Sequence, residues 1–65
     1  MKAAPLQTHE NLILLQNWIT KVIHDDQEIW IYDTPNGFEV WAEDPEYTIQ
    51  NGGLMYKGKA GSIWD

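Results

Sequence analysis

Two runs rich in β-branched and aromatic residues, EIWIYD (28–33) and FEVWAED (38–44), are separated by Thr34-Pro35-Asn36-Gly37. That turn limits the fold more than any other feature. Two such runs joined by so short a connection have to pair as an antiparallel hairpin. The register of the pairing then fixes the face on which each side chain lies, because side chains along a strand alternate with a period of two. Thr34 precedes a proline, which disfavours the helical region and holds Thr34 extended. The local chemistry therefore favours a three-residue loop, with Pro35 and Asn36 in a type I turn and Gly37 at the left-handed bulge position. In that register Thr34 faces Phe38, Tyr32 faces Val40, Ile31 faces Trp41 and Trp30 faces Ala42. One face then carries Trp30, Tyr32, Phe38, Val40 and Ala42, and should receive a helix. The other carries Ile29, Ile31 and Trp41 among Asp33, Glu39 and Glu43. A shift of one residue would instead set Trp30 against Trp41 and gather Ile29, Ile31 and Val40 on the opposite side.

A helix is present to cover the apolar face. In NLILLQNWITKVIHDD, Leu12, Leu15, Trp18, Ile19, Val22 and Ile23 fall on one arc at helical spacing, with Leu14 at its margin. Asn17, Thr20, Lys21 and His24 lie on the other side, joined by Ile13. Thr8 is placed to cap the first amides, with Asn11 where a capping box has its acid. Asp25-Asp26 oppose the negative end of the helix dipole, so the helix is expected over 8–24. Residues 1–7 read as a loose lead-in.

EYTIQNGGLMYK reads as a second hairpin over 46–57 with Asn51-Gly52 in its turn, pairing Ile49 with Leu54 and Tyr47 with Tyr56. Asp44-Pro45-Glu46 also has the form of a helix start, so a short helix there is the alternative. In the tail, 58–65, Ile63-Trp64 is expected to dock on the domain. The fold class is thus α+β, with one N-terminal amphipathic helix on a three- to four-stranded antiparallel sheet. The 65 residues form one domain.

A chain of this length buries about 60% of its unfolded surface, so its stability is marginal. It has no cysteine and therefore no disulfide or thiolate metal site. Its four Trp, three Tyr and one Phe are the natural packing material, and homodimerisation would be a further aid. Ten acidic against four basic residues give a net charge of −6. Direct binding to nucleic acid or to an anionic membrane is disfavoured by that balance. No run of about 18 apolar residues and no signal-peptide pattern occurs, and a cytoplasmic protein is expected.

No catalytic constellation stands out. The hydroxyl residues lie in no nucleophile motif, and NGG and GKAGS lack the Gly-Lys-Ser/Thr that follows a strand in a phosphate loop. His24 with Asp25 and Asp26 would be the residues of a metal or base site, but they read more simply as a solvated helix end. A non-enzymatic protein with no cofactor and no metal is expected. Its acids concentrate between residues 25 and 46, a stretch without a lysine or arginine. Within it Trp41, Ile31, Ile29, Asp33, Glu39 and Glu43 form a candidate partner-binding patch, an aromatic anchor ringed by charge for a larger protein with a basic surface. Cover of Trp41 by the C-terminal segment, or by a second copy of the chain, are the competing readings. A regulatory or inhibitory role follows, with nucleic-acid mimicry as the alternative. The nine-residue tail KGKAGSIWD resembles C-terminal segments of some bacterial antitoxins. The resemblance implies an antitoxin-like subunit as a further alternative.

Overall fold

The computed structural model describes residues 4–45 and 53–64. Among the described residues four strands, β1 (Gln7–His9), β2 (Glu28–Thr34), β3 (Gly37–Trp41) and β4 (Gly53–Lys59), form one antiparallel sheet in the order β1-β3-β2-β4. The helix α1 (Leu12–Val22) lies in the chain between β1 and β2, and a 3-10 turn over Ala60–Trp64 follows β4. The α+β class expected from the sequence, a helix near the N-terminus with a small antiparallel sheet, is the one observed.

The hairpin forms in the register shifted by one residue from the expected one. Trp30 pairs with Trp41, Ile31 with Val40, Tyr32 with Glu39, Asp33 with Phe38 and Thr34 with Gly37. Thr34 is extended, as proline at the next position requires, but the loop holds two residues, Pro35 and Asn36, rather than three. Thr34 Oγ1 closes it, donating to the Gly37 carbonyl at 2.8 Å and accepting the Asn36 N–H at 3.2 Å. Gly37, expected as the bulge residue, belongs to β3 with φ +125°. Its missing side chain serves the neighbouring strand: an added Cβ would sit 2.8 Å from the His9 carbonyl oxygen.

In this register Ile29, Ile31 and Val40 all point toward α1. With Leu15, Ile19 and Ala60 they make the hydrocarbon core, flanked by Leu12, Trp18, Ile23, Phe38, Tyr56 and Ile63. Trp30, Tyr32, Glu39 and Trp41 point to the opposite face. Trp30 and Tyr32 therefore lie away from the helix, contrary to expectation.

The start of α1 also differs. Thr8 is not its cap but lies in β1 opposite Glu39, and residues 7–9 are strand rather than lead-in or helix. Asn11 is the cap, its side-chain oxygen accepting the N–H of Ile13 at 2.8 Å and of Leu14 at 3.4 Å. The helix ends at Val22, with Ile23 extended as its C-cap and Lys21 in the last turn, so Asp25 and Asp26 fall beyond it.

β4 pairs with β2, with Tyr56 opposite Ile31 and Leu54 opposite Tyr32, so that Met55 forms a bulge. The expected partner strand and turn over 46–52, and the alternative helix there, lie outside the described residues. After β4 the chain returns to the loop that follows α1. The Ala60 N–H donates to the Gln27 carbonyl at 2.8 Å and the Gly61 N–H to the Asp25 carbonyl at 3.0 Å. Ile63 packs on the core, as expected of the tail.

Candidate functional site

The hairpin face turned away from α1 is built from side chains with an apolar body and a polar tip. Trp30 and Trp41 are direct cross-strand neighbours, as are Tyr32 and Glu39. Trp41 keeps only 4% of its surface and Glu39 8%. A buried indole N–H and a buried carboxylate each need a partner. They supply one another, Trp41 Nε1 donating to Glu39 Oε1 at 3.1 Å. Because the two residues are separated by one position on a strand, they share a face in any register. Tyr32 is also buried and donates its hydroxyl to Asp44 Oδ1 at 3.2 Å. Burial first, and the Asp44 charge and hydrogen bond after it, raise the Tyr32 phenol above its ordinary value. Trp30 is half-buried, with Lys57 Nζ 6.0 Å from its ring centroid, at the outer limit of a cation–π contact.

The six residues expected to form an exposed patch are therefore separated. Ile29 and Ile31 are in the core beneath α1. Trp41 and Glu39 are on the other face and are buried as well. Asp33 is exposed at the turn end of the hairpin and Glu43 is exposed at the opposite end. A one-residue register difference accounts for the split, because it carries β2 to the other face relative to β3.

The exposed charge gathers elsewhere. β2 begins and β3 ends at the same end of the sheet, opposite the Pro35-Asn36 turn. Glu28 is at that end of β2, Asp25 and Asp26 are in the loop leading into it, and Glu43 and Asp44 follow β3. All five carboxylates are on exposed residues. Lys59 is the cation nearest in register, paired with Glu28 across β2 and β4. Trp30, two residues along from Glu28, shares its face. This grouping was readable in part from the sequence, since any antiparallel hairpin brings the start of one strand beside the end of the next. The half-exposure of Trp30 was not, because it follows from the register.

Among the described residues no three His, Asp or Glu side chains are placed to hold a metal ion. His24 is engaged locally, its Nδ1 accepting the Asp26 N–H at 3.2 Å. Such an arrangement can attract and orient a cationic surface, with strength that falls as salt rises. Among the described residues no helix is long and apolar enough to cross a membrane. No protein-family model, curated protein or solved structure matches the chain.

Proposed function

We propose that this chain is a small non-catalytic regulatory or inhibitory protein that docks on a larger protein carrying a basic surface. The contact is made by the acidic end of the hairpin, Asp25, Asp26, Glu28, Glu43 and Asp44, with Trp30 as the neighbouring aromatic anchor. The observation that carries this reading is the grouping of five exposed carboxylates at one end of the sheet, beside a half-buried indole. Charge of one sign raises the association rate with an opposite surface, and tryptophan contributes disproportionately where it is desolvated by a partner. The encounter is placed in the cytoplasm, where a chain with no cysteine loses nothing to reducing conditions.

The test is capture from a lysate of the source cells by the immobilised chain and by a variant carrying Asp26→Asn, Glu28→Gln and Glu43→Gln. A protein held by the native chain, released by moderate salt and held about tenfold less well by the variant is the expected result. Equal capture by both chains removes the acidic end as the site. Release of the captured protein by duplex DNA or RNA would assign the nucleic-acid-mimicking role instead.

A further inference from the structure

Trp30, Tyr32 and Trp41 share the hairpin face turned away from α1, but they differ in how much of each ring stays open. Trp41 and Tyr32 are buried, with their polar tips bonded to Glu39 and Asp44. Trp30 is half-buried, so part of its indole meets solvent. Its partner across β2 and β4 is the exposed Lys57, which brings Nζ to 6.0 Å from the ring centroid. A cation therefore already stands over this ring, at the distance where the attraction fades. One step along the same face is the exposed Glu28, with Asp25 and Asp26 leading into it. We propose that Trp30 and Glu28 form an arginine-binding site, in which a partner protein's guanidinium stacks on the indole and pairs with the carboxylate while Lys57 moves off the ring. The inference rests on the acidic docking end assigned above and names the side chain which that end receives.

The chemistry favours arginine over lysine. A guanidinium is planar and weakly hydrated, so it can lie flat on an aromatic ring while its N–H fork meets a carboxylate at the ring's edge. An ammonium is compact and strongly hydrated, and it gives up more water for the same contact. Lys57, tethered on the neighbouring strand, reaches only the outer limit of the interaction, so little is lost when it leaves. All four basic residues of the chain are lysines, so a guanidinium has to come from another molecule. Lys57 and Lys59 flank Trp30 and Glu28 on the β4 side. β3 lies on the other side of β2, and Glu43 and Asp44 follow it, so an incoming cation has an acidic approach there.

The test titrates two capped heptapeptides into the full chain, one alternating glycine with arginine and the other glycine with lysine. Indole N–H shifts are followed by NMR. The arginine peptide should bind about fivefold more tightly than the lysine peptide and should move the Trp30 indole most. Trp30→Leu, which keeps an apolar body on the sheet, should bring the two peptides to equal affinity. Lys57→Gln, at an exposed site, should raise affinity for the arginine peptide more than Lys59→Gln does, because it clears the ring as well as removing a charge. Equal, salt-sensitive binding of both peptides to the native chain would overturn the arginine site and leave the acidic docking end standing. A preference for arginine that persists in a folded Trp30→Leu chain would also overturn it, as would equal gains from the two lysine variants. Binding of neither peptide has the same consequence, and the lysate capture then decides the docking end separately.

Discussion

The two faces of the central hairpin solve burial differently. Toward α1, Ile29, Ile31 and Val40 are sealed by Leu15 and Ile19, and only hydrocarbon meets hydrocarbon. On the other face Tyr32, Trp41 and Glu39 are buried nearly as deeply, but each polar tip has a named neighbour: Trp41 with Glu39, Tyr32 with Asp44. The first face rests on packing alone, which is non-directional. The second adds a requirement of geometry, because a displaced acceptor leaves a donor unsatisfied in a desolvated place. A domain this small has too little volume for one interior core and draws on both faces of its sheet.

Truncation is the strongest way to break the comparison. Trp41→Ala should lower the unfolding free energy by about 3–5 kcal/mol, and Ile29→Ala by about 2–5 kcal/mol. Either is comparable to the whole stability of a domain of this size, so both should appear in thermal and urea melts as partial or complete unfolding. A Trp41→Ala protein that melts like the parent would show that the second face contributes little.

Glu39→Ala separates the hydrogen-bonded face from the hydrocarbon one. It removes the acceptor of the Trp41 indole N–H and should lower stability by about 1–3 kcal/mol in the same melts. Glu39→Gln keeps an acceptor and should recover part of that loss. No such recovery would mean that the side chain acts by packing.

The third effect is smaller and depends on pH. The Tyr32 phenol is raised above its ordinary value of 10.0, chiefly by burial, so folding favours its protonated form. Its contribution to stability is fully present below about pH 10 and is lost as pH rises through the folded-state value. Urea melts in the alkaline range should therefore weaken more steeply for the native chain than for Tyr32→Phe; parallel pH profiles would remove the effect. Asp33→Asn should change stability by less than about 0.5 kcal/mol, since Asp33 is exposed at the turn end. A larger shift in the thermal midpoint would show that Asp33 belongs to a buried face after all.

How far the fold could be read ahead varied with how local each signal was. The helix, both hairpin strands and the extended Thr34 follow from periodicity and from proline at position 35. The start of α1 is not legible locally because Thr8 suits two roles, helix cap and strand residue, and the pairing of Gln7–His9 with β3 that decides between them comes from some 30 residues away. Gly37 misled in the same way. In isolation it suggests a bulge, whereas here its bare backbone lets His9 pass close. The candidate patch fails for the same reason: a three-residue loop puts Ile29 and Ile31 on the face of Trp41, whereas the observed register puts them beneath α1.

The sequence by itself determined that residues 28–41 make a two-faced hairpin, that Glu39 and Trp41 share a side, and that acids collect where β2 begins and β3 ends. Those follow from strand alternation and antiparallel direction, which hold in every register. Only the tertiary structure decided which set of side chains meets the helix. Alternation has a period of two, so a slip of one residue between strands exchanges their faces, and neighbouring β1 and the aliphatic surface of α1 select between the two arrangements.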